Sequence, residues 1–296
     1  MDAAALLAER VQEFQDDRSH GASWMARRAV ETLAELTKLE VRSCDDLLER
    51  LRWAGRQLAA CRPGVGAVAG AVGRVLAAAG HESHLDIDSL RRVIQEEAYA
   101  LDDARRRAAA SITIQLRERL DGATVLTHSA SGTVREAFQQ TEPAKVICTV
   151  SEPVGEGRAF AEEWRAAGLD TELVEDADAP ARIADISLLL IGADTVFRDG
   201  TICNKVGTIP LARAAAEAGV PTVVAAEVIK LAPVPGSQAP ELAEIERSLF
   251  ELVDPDLITE VVTEEGTFPP DEIATLVDRV PFLQEGYSLV MPVRAR

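Results

Sequence analysis

Beyond residue 117, short apolar runs recur at a spacing that leaves room for one helix between successive runs, and this alternation limits the fold more than any other feature. The runs are Thr124 to Thr127, Lys145 to Val150, Leu169 to Val174, Ile186 to Ile191, Val220 to Ala226 and Leu257 to Val262. Most carry adjacent apolar residues rather than one at every second position, which is the pattern of strands covered on both faces. Parallel strands cannot be joined by tight turns and need a crossover of a dozen or more residues. Helical stretches such as Val134 to Gln139, Arg158 to Ala167 and the alanine-rich segment after Thr208 supply such crossovers. The fold class predicted is α/β, with a mostly parallel sheet carrying helices on both faces.

The first part of the chain shows no strand pattern. Leu6, Leu7, Val11 and Phe14 recur at helical spacing, as do Ala29, Leu33, Leu36 and Leu39, each set forming one apolar stripe. A polar turn, Ser19-His20-Gly21-Ala22-Ser23, opens the second helix, with Ser23 or Ser19 as its cap. A further helix runs from Cys44 to Ala60. Arg62-Pro63-Gly64 then ends one helix and begins the next, Val65 to Ala79. Asp86 to Arg117 supports one or two long helices. These readings divide the chain into a helical domain, residues 1–117, and a sheet domain, residues 118–296.

Charge narrows the function classes. The formal net charge is -18, and of 31 basic residues only those at 38, 145, 205 and 230 are lysine. Neutralising nucleic-acid phosphates requires a basic surface, so direct nucleic-acid binding is not expected, although a local basic pocket remains open. The acidic excess with scarce lysine also fits a cytoplasm of high salt. Four widely spaced cysteines form no paired ligand motif, so no metal site and a reducing, cytoplasmic setting are expected. No apolar run is long enough to span a membrane. No cofactor is expected, because no G-x-G-x-x-G follows the first strand.

The chemistry concentrates between Asp185 and Lys230. The run Ile186 to Ile191 ends in Gly192-Ala193-Asp194, which brings a carboxylate to the carboxyl edge of a strand, and Asp199-Gly200 supplies a turn. Asn204, Lys205, Gly207 and Thr208 then lead into the next helix. A second loop, His128 to Thr133, joins a strand to a helix start, the geometry in which free backbone N–H groups receive phosphate. Asp194 could move a proton while Lys205 holds a phosphate or a developing enolate. Alternatively, Asp194 and Asn204 fix the strand–loop–helix geometry by hydrogen bonds, with the remainder acting as turn residues.

The block G-A-D-x-V-x-x-x-G-x-x-x-N-K-x-G-T from Gly192 to Thr208, the segment from Gly219-Val220-Pro221 to Lys230, and the stretches Leu257 to Glu260 and Thr263 to Pro270 resemble one family. It joins the regulatory subunits of translation initiation factor 2B with aldose–ketose isomerases acting on ribose 1,5-bisphosphate or methylthioribose 1-phosphate. The resemblance implies a helical amino-terminal domain followed by a Rossmann-like domain, and a homodimer. It implies phosphate contacts from the turn His20-Gly21-Ala22, from Arg62, from Arg158 standing in for an arginine of the loop after the second strand, and from Asn204 and Lys205. In the isomerase branch a cysteine works with the aspartate matched by Asp194; here that position is Ser129. A hydroxyl lacks the acidity and nucleophilicity of a thiol, and Glu152 stands where a phosphate-binding arginine is expected. The resemblance therefore implies a non-catalytic regulatory or ligand-sensing protein, with initiation factor 2 or a related protein as partner and a sugar phosphate or nucleotide as ligand. The alternative is an isomerase using Asp194 and Lys205.

Overall fold

The computed structural model of the chain describes residues 2–18 and 20–291. Helices fill its first part: α1 (Ala3–Asp16), α2 (Ala22–Leu36), α3 (Cys44–Cys61), α4 (Gly66–His81) and α5 (Ile87–Leu120). Side chains mark several helix starts. Asp2 accepts from the Ala5 N–H ahead of α1, Ser43 from the Asp46 N–H ahead of α3, and Asp86 from the N–H groups of Asp88 and Ser89 ahead of α5. Each oxygen satisfies an amide that the first turn leaves unpaired. Helices α2 and α4 have no such cap; for α2 the reason is plain. Its cap is Gly21, which has no side chain to offer, and Ser23 lies inside the first turn rather than capping it. Ser19, the other predicted start, and residues 292–296 of the predicted sheet domain lie outside the described residues.

Seven strands form the main sheet: β1 (Thr124–Thr127), β2 (Lys145–Thr149), β3 (Thr171–Val174), β4 (Leu188–Ile191), β7 (Thr222–Ala225), β10 (Glu260–Thr263) and β11 (Gly266–Phe268). Their order is β11-β10-β7-β4-β1-β2-β3, all parallel except β11, which pairs antiparallel with β10. Successive side chains alternate between two cores, as the period of a strand requires. Leu126, Ile147, Leu189, Val224 and Val261 face one cluster, which holds residues of α8 (Thr208–Ala218) and α9 (Ile273–Arg279). Val125, Val146, Leu190, Val223 and Val262 face the other, with α6 (Gly132–Gln139), α7 (Glu156–Ala166) and the second half of α5. This is the Rossmann-like arrangement expected of the sheet.

The helical part has its own core, centred on α4, and the chain's last described helix, α10 (Pro281–Val290), returns to pack on it. Glycine is obligatory at two positions of α4. A Cβ on Gly73 would lie 2.7 Å from the backbone of Gly286 in α10, and one on Gly70 would lie 2.1 Å from the Ile229 carbonyl.

A second, four-stranded sheet was not foreseen. It consists of β5 (Thr195–Phe197), β6 (Ile202–Lys205), β8 (Leu231–Ala232) and β9 (Phe250–Val253) in the order β8-β5-β6-β9. The Asp199-Gly200 turn is its β5–β6 hairpin, with Gly200 at φ 83°. Asn204 and Lys205 consequently sit on a strand rather than at a helix start. The segment after Lys230 is partly anchored. Fully buried Glu246 accepts hydrogen bonds from the N–H groups of Gly64 and Ala243, joining this segment to the Arg62-Pro63-Gly64 turn.

Candidate functional site

In the main sheet, β2 and β3 lie to one side of β1, while β4, β7 and β10 lie to the other. Connections leaving β1 and β4 therefore diverge, and the crevice between their carboxyl ends is where open parallel sheets bind ligands. The two loops meet closely: a Cβ on Gly192 would stand 2.5 Å from the Ser131 Oγ. Above them lies a cavity of about 440 Å³. Its sheet-side wall includes Ser129 to Gly132, Gly192 to Asp194, Asn204, Lys205 and Lys230; its helical wall includes His20 to Met25, Arg62 and Arg105.

A hydrogen-bonded chain fixes the loop after β1. The Ser129 N–H donates to the Ser151 Oγ at 2.8 Å, which lies 2.8 Å from the Thr149 hydroxyl, itself 2.7 Å from His128 Nδ1. His128 Nε2 is 2.9 Å from the Val206 carbonyl, which can only accept, so Nε2 carries the hydrogen and Nδ1 receives the Thr149 proton. Burial holds the imidazole below its ordinary pKa, consistent with a neutral ring. Ser129 is thereby held at φ 66°, a left-handed conformation uncommon for a residue with a side chain. Beyond it, Ser131 caps α6 through the Val134 N–H.

Asp194 lies deep in the fold while keeping surface towards the cavity. Burial pushes its carboxyl up to about 6, opposed by the Lys230 and Lys205 ammonium groups. Lys205 and Lys230 are each only 4% exposed. The Lys205 Nζ lies 3.0 Å from both oxygens of Glu156. The Ser129 hydroxyl donates to the same carboxylate at 2.6 Å. Lys230 pairs with buried Glu227 at 3.4 Å, whose other oxygen takes the Thr133 hydroxyl at 3.2 Å. Arg62, 2% exposed, donates from Nε to the Phe14 carbonyl and from Nη2 to the Asp17 carbonyl. It has no carboxylate partner in an ion pair among the described residues. His20 stacks on Trp24 with ring centroids 4.0 Å apart and contacts Asp17 through Nδ1.

Of the residues singled out in the sequence, the cavity gathers His20, Gly21, Ala22, Arg62, Ser129, Asp194, Asn204 and Lys205. Three stand elsewhere. Arg158 does not line the cavity; its guanidinium lies among Glu152 and Glu175. Gly207 is the left-handed cap of α8, at φ 103°, and its N–H and that of Ile209 both bond to the Glu251 carboxylate, so this helix start is already occupied by an anion of the chain itself. Thr208 bridges inward, donating to the Lys205 carbonyl and accepting from the Asn204 amide. The sequence reading missed Glu156, Lys230 and Glu227. It placed the loop's acidic group at Glu152, whereas the carboxylate facing the cavity is Glu156. A signal existed for Lys230, as one of only four lysines, and for Glu156, in the glycines flanking it. Among the described residues no group of three or more His, Cys, Asp or Glu side chains could hold a metal ion, and no helix is long and apolar enough to cross a membrane.

Residues 18–242 match the model of the initiation factor 2 subunit family. The chain belongs to that family. Among its relatives, a putative translation initiation factor eIF-2B subunit 2-like protein of Pyrococcus horikoshii is 32% identical over 90% of this chain and 100% of its own length. A ribose 1,5-bisphosphate isomerase of Archaeoglobus fulgidus is 28% identical, covering 90% of each chain. The fold recurs in a tetrameric eIF2B beta–delta complex from C. thermophilum, with a TM-score of 0.78 at 21% identity over 94% of this chain and 95% of that one. Within this family, both factor subunits and isomerases are thus similar to the chain at nearly its full length.

Proposed function

We propose that the chain is a ligand-sensing, regulatory member of the family, which takes up a small phosphorylated sugar without isomerising a bisphosphorylated one. The observation that carries this reading is the Glu156 carboxylate, which holds both the Ser129 hydroxyl at 2.6 Å and the Lys205 ammonium at 3.0 Å. Aldose–ketose isomerisation moves a proton between C1 and C2 and must stabilise the enolate formed between the two transfers. Here the cation placed to do so is already neutralised, and a hydroxyl occupies the position where the isomerase branch uses a thiol. The cavity still suits a single phosphate ester, with Arg62 in no ion pair with a carboxylate among the described residues and the start of α2 without a side-chain cap there. The tetramer named for the C. thermophilum complex supports a chain that works as a dimer or larger assembly, which sedimentation velocity would test.

One observation favours the isomerase alternative: an Asp194 carboxyl raised to about 6 at a strand end is poised for acid–base work near neutral pH. Incubating the purified protein with ribose 1,5-bisphosphate and following the ribulose isomer by NMR separates the two. The expected outcome is no conversion above the uncatalysed rate. Turnover that disappears in Asp194→Asn would overturn the regulatory reading.

A further inference from the structure

We infer that Glu156 sets the ligand class of this cavity, admitting a sugar with one phosphate and rejecting one with two. The inference rests on the phosphorylated-sugar reading above and adds which ligands the site can hold.

The position of Glu156 is built by the backbone. Gly155, immediately before it, adopts φ 76°, which side-chain-bearing residues rarely take. Gly157, immediately after it, packs so tightly on the end of β2 that a Cβ would fall 1.8 Å from the Thr149 carbonyl oxygen. Between a position that favours glycine and one where only glycine fits, Glu156 enters the first turn of α7 and lines the cavity. There its carboxylate takes the Ser129 proton and sits against Lys205. Ser129 directly precedes the small residues that lead into α6, so this fixed negative charge stands beside the loop whose amides would otherwise receive an anion.

The cavity is therefore divided by charge. On the sheet side the Lys205 and Lys230 ammonium groups are each paired with a carboxylate, Glu156 and Glu227, which leaves the Glu156 oxygens, Asp194 and the Ser129 hydroxyl to exchange hydrogen bonds with sugar hydroxyls. The helical side offers Arg62 and the uncapped start of α2, which suit a phosphate. A phosphate monoester carries between one and two negative charges at neutral pH. With its ammonium held by Glu156, Lys205 has no net positive charge to offer a second phosphate, which would have to approach the carboxylate as closely as the ammonium in a partly desolvated site.

Calorimetric titration of the full chain with ribose 5-phosphate and ribose 1,5-bisphosphate tests this. The wild type is expected to prefer the monophosphate. Glu156→Gln keeps the shape and removes the charge, so affinity for the bisphosphate should rise about tenfold while that for the monophosphate changes less than about threefold. Glu156→Ala serves as a second variant, since alanine suits a helix turn, and thermal unfolding of both checks that they fold. An unchanged preference in a folded variant overturns the role of Glu156 and leaves the proposed function standing. A wild type that binds neither sugar overturns both.

Discussion

Two positions show how single residues set the site's geometry and its cost. At Gly207 a φ of 103° coincides with the His128 ring, whose Cε1 would lie 2.9 Å from an added Cβ. Gly207→Ala therefore strains the backbone and pushes the imidazole that anchors the Ser129 loop. A loss of about 1–3 kcal/mol is expected, measured as a lower urea midpoint. Asp194 behaves oppositely. Its carboxyl is raised to about 6 by burial, so the folded state holds the proton more tightly than the unfolded chain, and ionising it at higher pH costs stability. Asp194→Asn should raise the urea midpoint at pH 8, by about 1–2 kcal/mol allowing for its contact with the cavity. At pH 4, near the carboxyl's ordinary value, most of the gain should vanish, because the cost accrues only between that value and about 6. A midpoint that moves equally at both pH values would argue that ionisation of this group is not what limits stability.

At the scale of elements, the α4–α10 seam is the most sensitive contact. Backbone meets backbone at Gly73 and Gly286, and neither side can yield as a flexible side chain would. Gly73→Ala is expected to cost about 1–3 kcal/mol by forcing the helices apart, outweighing the helix propensity that alanine adds; urea denaturation against a Gly80→Ala control, where an added Cβ meets nothing within 4 Å, checks it. The helices and the main sheet were legible because their signals are local. Apolar stripes at helical spacing marked α1 and α2, turn residues bounded the helices that follow, and runs of adjacent apolar residues marked β1, β2, β4 and β7, which alternate between two cores. The second sheet was not, because strands such as Leu231–Ala232 and Thr195–Phe197 are too short to show a period. Partners such as β6 and β9 also lie far apart in sequence. The site was legible where a strand end points a side chain outward, as at Asp194. It failed at Glu156, Glu152 and Arg158, because a loop with left-handed residues at Ser151 and Gly155 redirects side chains in ways that residue identity alone does not reveal.

For the whole molecule, three buried carboxyls govern the pH profile. Asp194 is raised to about 6, and Glu246 and Glu264 each to about 7, burial being the main cause for all three. The native state thus holds more protons than the unfolded chain between about pH 4 and 7, and stability falls as pH rises through that range, each group contributing at most about 1.4 kcal/mol per pH unit. A net charge of -18 acts in the same direction through self-repulsion. Carboxyls held low pull the other way only in more acid solution, as at Glu172, kept at about 2 by hydrogen bonds from Arg182 and Lys145. The urea midpoint should therefore peak near pH 4 and decline towards pH 7; a peak at pH 8 would contradict this assignment. The sparing use of lysine has a practical corollary. Of the chain's four ammonium side chains, Lys38 is exposed, Lys145 is half-buried, and Lys205 and Lys230 are sealed into one chamber. An acylating reagent should label the outer pair promptly and the inner pair slowly, so mass spectrometry of two peptides would give a direct gauge of what occupies that chamber.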